Sequence, residues 1–394
     1  MNFCARHLFI LPVFIIAVFL SLHTWQPNYI VPLNNGESEQ SHRSANSYVP
    51  WRLSQPVDNL YNVQNRTLGF QEIRVISLPE RTDKHDAWAV SSSITGFDYE
   101  LADGVDSTRI SDKALPHTMD LQPKIIACWR AHMDILQDIV NRGVASTLIF
   151  EDDADWDVSL KSQLVQFARG SRWLLNTTST DRPSSPYGLG WDFLWIGHCG
   201  GNTVATDARR FVIPHDPTVE PLVLRSDHEN VEFQTWATAV PPDPQTRIVA
   251  TMSDAICTAG YAISLEGARK VLYHMSMLPY SDPVDWGYGE MCRENKSGFT
   301  CIAPFPGIIG VHRPAGSISR WSDIETINVE TGEAHSDRLV FSTRMNVDRL
   351  LRGEKMIKSS DQVAEITGQH ELDIDQIGSA VGHGEVIDIE LESN

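Results

Sequence analysis

A short apolar segment that runs directly into a cluster of carboxylates is the feature that most constrains this chain. Residues 146–150 (STLIF) have the composition of a buried strand, and residues 151–155 (EDDAD) contain four acidic side chains. Carboxylates this close repel one another unless cations or hydrogen-bond donors neutralise them. Because open α/β sheets bind their ligands beyond the carboxyl ends of the strands, this pattern predicts a ligand-binding edge.

The carboxylate cluster itself predicts a divalent cation. Carboxylate oxygens suit Mg²⁺ and Mn²⁺, which commonly keep coordination positions open for substrate phosphates. We predict Asp153 as the main metal ligand, with Glu151 and Asp152 as its partners, and we expect Asp155 to be a solvated turn residue. A cation here would bridge the protein to the diphosphate of a nucleotide sugar. The alternative is an acidic loop that caps the following helix.

Apolar segments elsewhere alternate between strand-like and helical patterns. Strands are predicted at 73–78, 192–197 and 260–263, and helices at 124–142 and 262–275. Strands that alternate with helices predict an α/β fold with a mostly parallel central sheet. Residues 200–250 show no clear periodicity, and we predict an insertion made of loops, with a β-hairpin as an additional element that the pattern leaves open.

The balance of charges limits the partners. The chain has 51 acidic and 32 basic residues among 394, which gives a formal net charge of −19. No basic stripe offsets this charge locally, so we expect no nucleic acid partner. An acidic chain still binds an anionic nucleotide when a divalent cation lies between them. Residues 353–394 contain ten acidic residues and two lysines, a composition that predicts a disordered tail.

The N-terminus combines an apolar segment with a polar one. Leu8–Leu22 is fifteen uncharged residues long, which as a helix measures about 22 Å. No small-residue cleavage site follows, so we predict a cytoplasmic tip and signal-anchor at 1–25 and a stem at 26–69, with a cleaved signal peptide as the alternative. Sequons begin at Asn65, Asn176 and Asn295. Together these features predict a single-pass type II protein of the Golgi or ER membrane, with its catalytic domain, 70–352, in the lumen.

Several motifs resemble those of glycosyltransferase family 25, which includes lipopolysaccharide sugar transferases and collagen galactosyltransferases. They occur in the family's order: 73–84 (IRVISLPERTDK), 102–104 (ADG), 127–132 (ACWRAH), 148–154 (LIFEDDA), 258–264 (TAGYAIS), 283–285 (PVD) and 322–324 (SDI). Lys84 stands where the family usually has Arg, and Ser77 where it usually has Asn. The resemblance implies a GT-A fold and an inverting transfer of a hexose, galactose or glucose, from a nucleoside diphosphate sugar to a glycan or glycoprotein.

The same resemblance suggests which residues meet the donor. It places Arg81, Asp83, Asp103 and His132 near the nucleotide, although a surface ion pair of Arg81 with Asp83 and a buried core histidine are the alternatives. GT-A enzymes often supply a late histidine as an additional metal ligand, which suggests His312, with an ordinary loop histidine as the alternative.

An inverting transfer needs a general base for the acceptor hydroxyl. Asp285 is the candidate, in a segment (DPVDWGYGE) whose Pro and Gly residues suggest a fixed loop rather than a helix interior. Glu290 is the rival base, and Trp286 and Tyr288 offer apolar faces for a sugar ring. In an oxidising compartment, Cys292 and Cys301 are the best candidates for a disulfide.

Two other classes of function stay open on the sequence alone. A metal-dependent phosphoesterase could use the same acidic cluster, but it would need histidine ligands near 151–153, and the sequence has none there. A non-catalytic, glycan-binding lumenal protein could retain the GT-A fold. The transferase is the favoured hypothesis because the ordered motifs support it.

Overall fold

The structure is a computed structural model that describes residues 58–181, 183–225, 245–318, 322–324, 330–380 and 385–387. The signal-anchor predicted at 1–25 and most of the predicted stem lie outside these residues. Within them, no helix has the length and apolar character needed to cross a membrane. All of the described residues belong to one compact unit.

The strands, in chain order, are β1 Glu72–Ser77, β2 Glu100–Asp103, β3 Ser146–Glu151, β4 Ala154–Trp156, β5 Phe193–Gly197, β6 Gly201–Thr203, β7 Arg210–Ile213, β8 Arg247–Ala255, β9 Gly260–Ser264, β10 Cys301–Phe305, β11 Ile309–Arg313, β12 Gly316–Ser317, β13 Glu330–Thr331, β14 His335–Asp337, β15 Met356–Lys358, β16 Glu371–Asp373 and β17 Glu385–Ile387. The helices are α1 Thr82–Thr95, α2 Pro123–Arg142, α3 Leu160–Leu174, α4 Leu265–Leu272, α5 Val284–Arg293, α6 Val347–Leu351, α7 Asp361–Thr367 and α8 Ile374–Ala380.

Ten of the described strands form one central sheet, in the order β17–β7–β8–β10–β5–β9–β3–β1–β2, with β6 paired to β8. Seven of them run in one direction, and β8, β9 and β17 run in the opposite direction. The predicted α/β class with a mostly parallel sheet is therefore confirmed, and its arrangement is that of a GT-A-like single domain.

The central sheet is buried on both faces. Side chains alternate along β3, so that Leu148 and Phe150 join an apolar cluster with Trp88, whereas Ile149 joins another cluster with Trp129. Trp88 belongs to α1 and Trp129 to α2, so helices cover both faces. This burial explains why β3 reads as a continuous apolar segment rather than an alternating one.

Helix α2 follows the predicted limits closely. Pro123 occupies its first turn, where the missing backbone donor costs nothing, and Gly143 ends it in a left-handed conformation with φ 69°. The helix predicted at 262–275 is different in the structure. The chain stays extended through Ser264, whose hydroxyl then caps α4 by accepting from the Gly267 amide.

The predicted start of the catalytic domain at residue 70 is too late. A 3₁₀ helix, Asn59–Gln64, buries Leu60 and Val63, and its neighbour Asp58 accepts a hydrogen bond from Arg172 of α3 at 2.7 Å. Residues 58–69 therefore belong to the folded domain rather than to a stem. The polar composition of this segment concealed three apolar anchors, of which Leu68 is the third.

The prediction of a disordered tail at 353–394 is wrong for the part of the tail that the structure describes. Strands β15 and β16 pair with each other, and α7 and α8 flank them. Ile357, Val363 and Ile377 are buried in a third apolar cluster together with Val340 and Phe341. Acidic residues of the described part, such as Glu354 and Asp361, are exposed, so the net charge alone was a poor guide to its structure.

A three-stranded sheet, β14–β11–β4, stands next to the end of β3. It pairs Ala154 with Val311, and the amide of His312 donates to the carbonyl of Asp153 at 2.8 Å. The acidic segment is thereby tied to a strand more than 150 residues later. The described residues contain two disulfides, the predicted Cys292–Cys301 and the unpredicted Cys199–Cys257.

Candidate active site

A cavity of about 340 Å³ lies where the parallel strands β1, β2 and β3 end. Its walls include four of the predicted residues: His132, Glu151, Asp152 and Asp153. Gly104 permits the turn after β2 because a Cβ there would lie only 3.0 Å from the Leu78 amide nitrogen. The cavity occupies the position that the sequence predicted for a ligand.

Asp152 faces helix α1 and has its own protein partners. Its carboxylate accepts hydrogen bonds from the ammonium of Lys84 and, at 2.6 Å, from the hydroxyl of Ser77. Burial favours the neutral form of Lys84, but the carboxylates of Asp153 and Asp152 outweigh this and raise its pKa. Lys84 thus neutralises Asp152, and the oxygens of Asp152 are less available to a cation than those of Asp153.

Asp153 has the least satisfied carboxylate of the cluster. Its Oδ1 is buried and has no hydrogen-bond partner among the described residues, and its Oδ2 lies 3.6 Å from a guanidinium nitrogen of Arg313. Burial, reinforced by the charges of Glu151 and Asp152, raises the pKa of Asp153 to about 6. A buried oxygen without a donor is costly, and a divalent cation would satisfy it.

Glu151 is held from two sides. It accepts a hydrogen bond from the hydroxyl of Thr258, and Nε2 of His132 lies 3.4 Å from its Oε1. The other ring nitrogen of His132 is 2.8 Å from the hydroxyl of Tyr261. Burial raises the pKa of Glu151, but hydrogen bonds from His132 and Thr258 outweigh burial and hold the pKa below its usual value.

His132 has features of both alternatives, a buried core histidine and a residue of the site. The residue is only 1% exposed, as expected for a core histidine, yet it borders the cavity. Cys128, one helical turn earlier on α2, borders the same cavity and is not in a disulfide. Burial and the nearby carboxylates raise the pKa of the Cys128 thiol well above its usual value.

Asp285 lies in the first turn of α5, which corrects the prediction of a loop. Pro283 at the N-cap starts this helix instead of excluding it. The carboxylate of Asp285 accepts a hydrogen bond from the Cys257 amide at 2.9 Å. Its pKa is raised by burial and, further, by the charge of Glu151, so Asp285 and Glu151 are electrostatic neighbours.

Glu290 lies further along α5 and has a different environment. Its carboxylate is 2.9 Å from the ammonium of Lys296, and it borders two other cavities rather than the one at the ends of β1–β3. Trp286 is 60% exposed and available for stacking, whereas Tyr288 is fully buried against Tyr261. The expectation that Tyr288 offers a face to a sugar is therefore wrong.

Arg81 and Asp83 bind each other at the start of α1. The Arg81 guanidinium donates to both carboxylate oxygens of Asp83, at 3.0 and 2.9 Å, and also contacts Asp323. Asp323 borders the cavity and lies 3.3 Å from Lys84. Asp103 is exposed at the end of β2, and the residues that follow it, rather than Asp103 itself, border the cavity. Nucleotide contacts by these residues stay a prediction.

His312 is close to the acidic segment through its backbone. Its ring Nδ1 lies 3.1 Å from the hydroxyl of Ser336, which donates to the buried carboxylate of Asp155 at 2.7 Å. Burial, followed by the positive charge of Arg344, lowers the pKa of His312 to about 4. Asp155 is completely buried, so its prediction as a solvated turn residue is wrong. A role for His312 as a metal ligand stays a prediction.

Within the described parts of the chain, one group of three potential ligand residues has its ligand atoms within 4.8 Å of one another: Cys128, His132 and Glu151. This group shares only Glu151 with the predicted metal ligands. The sequence analysis noted Cys128 solely as part of a motif. Its spacing of four residues from His132 on a helix was the signal that could have identified the pair.

Two other residues at the site were missed. Arg344 is half-buried and donates to the carbonyl of Asp152 at 3.0 Å, and no local pattern marks it. Thr258 was part of a motif, but its contact with Glu151 follows from the pairing of β3 with β9, which brings Phe150 opposite Gly260. Long-range pairing of this kind is invisible in a single sequence.

No protein-family model matches the chain. Similarity to curated proteins is low but consistent. The chain is 24% identical to Procollagen galactosyltransferase 1 of Danio rerio over an alignment of 268 residues, and the match covers 61% of the chain and 36% of that protein. It is 24% identical to Procollagen galactosyltransferase 1-A of Xenopus laevis over an alignment of 219 residues, and this match covers 52% of the chain and 28% of that protein.

A third relative is Inactive glycosyltransferase 25 family member 3 of Homo sapiens, which is 24% identical over an alignment of 144 residues; the match covers 33% of the chain and 22% of the relative. The chain thus matches between 22% and 36% of the length of these three relatives. Their shared family confirms the resemblance predicted from the motifs, and this chain is a homologue of glycosyltransferase family 25 proteins.

Proposed function

We propose that this chain is a divalent-metal-dependent, inverting glycosyltransferase. It would move a hexose, galactose or glucose, from a nucleoside diphosphate sugar to a hydroxyl of a glycan or glycoprotein. The observation that carries the proposal is the buried, unpartnered Oδ1 of Asp153 at the cavity where β1, β2 and β3 end. Two relatives named as galactosyltransferases support the reaction class.

The cluster fits a hard cation. Asp153 and Glu151 supply carboxylate oxygens, the donors that Mn²⁺ and Mg²⁺ prefer, whereas Asp152 is engaged by Lys84. When bound, the cation would neutralise the charge of the donor's diphosphate. Lys84 and Arg313 add positive charge on either side of Asp153 and would help to hold the same phosphates.

The base for the acceptor hydroxyl is Asp285 in this proposal. Its hydrogen bond from the Cys257 amide fixes one oxygen, and its raised pKa improves its ability to take a proton. An inverting displacement requires the acceptor hydroxyl to attack the anomeric carbon from the face opposite the departing diphosphate. The base removes the hydroxyl proton as the new bond forms. Glu290 remains the rival, although Lys296 already neutralises it.

A lumenal location is part of the proposal. Two disulfides indicate an oxidising compartment. The sequon residues Asn65, Asn176 and Asn295 are all exposed, as glycan attachment requires. We propose that the N-terminal apolar segment anchors the chain in the Golgi or ER membrane. Enzymatic removal of N-glycans from the expressed protein should increase its electrophoretic mobility, and an unmodified protein would contradict the location.

The test of the activity is a panel of nucleotide sugars offered to the full chain in detergent with Mn²⁺, scored for hydrolysis and for transfer. We expect turnover with one donor, its loss in EDTA and its recovery when Mn²⁺ is restored. Asp153→Asn should be inactive, and Asp86→Asn, an exposed carboxylate of α1, should match the wild type. Full activity in chelator would disprove the metal assignment.

The second candidate is a non-catalytic, glycan-binding protein, and it is favoured by the relative named as inactive. Under that hypothesis no nucleotide sugar is hydrolysed at any Mn²⁺ concentration, while immobilised glycans retain the chain. Hydrolysis of a donor by the wild type but not by Asp153→Asn excludes it.

A further inference from the structure

We infer that Cys128, His132 and Glu151 form a second cation site, selective for a thiophilic ion such as Zn²⁺, which shares Glu151 with the carboxylate site at Asp153 but has two ligands of its own. The ligand atoms of these three residues all lie within 4.8 Å of one another. All three side chains also border the cavity, so an ion could enter from the side on which the nucleotide sugar is proposed to bind.

The secondary structure presents the three ligands together. Cys128 and His132 are four residues apart on α2, so their side chains share one helical face. Glu151 ends β3 on the other side of the gap, with its Oε1 3.4 Å from Nε2 of His132. A helical pair at this spacing with a third ligand from another element is an arrangement that zinc proteins use.

Outer contacts hold two of the ligands in place. Nδ1 of His132 is 2.8 Å from the hydroxyl of Tyr261, and this contact directs Nε2 toward Glu151. The hydroxyl of Thr258 holds the carboxylate of Glu151. Metal-binding histidines are usually oriented through their second nitrogen in this way, and the carboxylates beside them are hydrogen-bonded in turn.

The donor set selects the ion. One sulfur, one imidazole nitrogen and one carboxylate oxygen suit Zn²⁺, whereas Mn²⁺ and Mg²⁺ prefer oxygen ligands alone. Three protein ligands leave a fourth, open position facing the cavity, as in zinc sites that admit solvent or substrate. Because Glu151 belongs to both proposed sites, zinc binding withdraws a ligand from the Mn²⁺ site and should inhibit transfer.

The test uses Co²⁺ as a spectroscopic substitute for Zn²⁺ on the full chain after removal of metals. We expect one equivalent of Co²⁺ to produce a near-ultraviolet thiolate-to-cobalt band, which Zn²⁺ abolishes by displacement and Mn²⁺ does not. Cys128→Ser should lose the band. Cys4→Ser is the matched control, since Cys4 is the remaining cysteine outside the two disulfides, and it should retain the band.

Two more variants separate this site from the carboxylate site and from misfolding. Tyr261→Phe keeps the packing and removes the contact to His132, so cobalt affinity should fall about 10–100-fold. Asp153→Asn should keep the cobalt band while losing Mn²⁺-dependent turnover. The inference is overturned if Co²⁺ gives no thiolate band with the folded wild type, or if Cys128→Ser keeps the band. Neither outcome depends on the chain being an active transferase.

Discussion

The carboxylates of this cavity differ in what neutralises them, and the difference separates their roles. Asp152 has Lys84 and Ser77, and Glu151 has Thr258 and His132. Asp153 has a guanidinium nitrogen of Arg313 at 3.6 Å from its Oδ2, and its Oδ1 has no hydrogen-bond partner among the described residues. Three consecutive acidic residues of the sequence therefore have three different environments in the fold. The sequence analysis ranked Asp153 first among the metal ligands, and its unpartnered oxygen supports that ranking.

The ionised carboxylate of Asp153 should lower the free energy of unfolding when no cation is bound. Its pKa of about 6 means that the folded chain binds a proton more tightly than the unfolded chain. The free energy of unfolding therefore falls as the pH rises from about 4 through about 6 and stays reduced at pH 7. Asp153→Asn cannot ionise, so in chelator it should gain about 1–3 kcal/mol at pH 7.

Urea unfolding of wild type and variant in EDTA measures this gain at pH 7 and at pH 4, where it should vanish because the wild-type side chain is protonated. Asp86→Asn is the control and should change stability by less than about 0.5 kcal/mol. An Asp153→Asn protein no more stable than the wild type at pH 7 would contradict the account.

Asp285 should act on turnover and not on donor binding. Asp285→Asn keeps the shape and removes the basicity, so kcat should fall about 10²–10⁴-fold. Nucleotide affinity should stay near the wild-type value, because the phosphates are assigned to the cation, Lys84 and Arg313 and not to Asp285. Titration with the nucleoside diphosphate and steady-state kinetics measure the two effects separately.

Glu290→Gln is the matched control for Asp285→Asn, and it removes a carboxylate from the same helix. Since Lys296 already pairs with Glu290, we expect a modest effect on kcat. If Glu290→Gln is inactive while Asp285→Asn keeps more than about a tenth of the wild-type kcat, less loss than general bases usually cause, Glu290 is the base.

At the scale of elements, the turn between β8 and β9 connects the two proposed catalytic groups. The amide of Cys257 donates to Asp285, and the hydroxyl of Thr258 donates to Glu151. Cys257 has a positive φ of 68°, unusual for a residue other than glycine, and the disulfide to Cys199 ties this turn to the end of β5. We therefore expect the disulfide to position Asp285 relative to Glu151.

Replacing both Cys199 and Cys257 with Ala should lower kcat at least tenfold while the nucleotide still binds, because the turn loses its anchor rather than its phosphate contacts. Closing a loop of 58 residues predicts a stability loss of about 4 kcal/mol. The control is the double replacement of Cys292 and Cys301, which should cost about 3 kcal/mol and leave kcat nearly unchanged. Equal kcat losses in both variants would argue against a positioning role.

The elements that border the cavity, β3 and α2, could be predicted because their sequence signals are local. Strand β3 and helix α2 are encoded in adjacent residues, and Pro123 and Gly143 mark the ends of α2. Lys84 could not be assigned to Asp152, since 68 residues separate them. Asp285 was predicted in a loop and lies in a helix, because a proline such as Pro283 ends a preceding helix but is equally suited to the start of a new one.

At the scale of the whole molecule, the C-terminal region is part of the fold. Its apolar side chains pack on Val340 and Phe341, next to the small sheet that holds Asp155 and His312. Ile357→Ala, at a residue with no exposure, should lower the free energy of unfolding by about 2–5 kcal/mol. Ile366 is 48% exposed, and Ile366→Ala should change the free energy of unfolding by less than about 0.5 kcal/mol.

Chemical denaturation of the two isoleucine variants decides between a folded and a disordered tail. If the tail were disordered, neither residue would be buried, and both variants would unfold at the same denaturant concentration as the wild type. The acidic composition predicted disorder because composition counts charges without regard to the spacing of the few apolar residues between them. Three buried side chains, Ile357, Val363 and Ile377, were enough to organise the region.

The position of β9 between β3 and β5 has a consequence for biosynthesis. Strand β5 leaves the ribosome before β9, yet β3 and β5 pair only through β9. The nascent chain must therefore keep the edge of β3 open while the residues from Glu151 to Ser264 are translated. At cellular rates of elongation this wait lasts about 6–20 s. The sequon residue Asn176 is translated during that interval. A glycan attached there would be present before β9 completes the sheet, and it would shield the open edge of β3 from self-association.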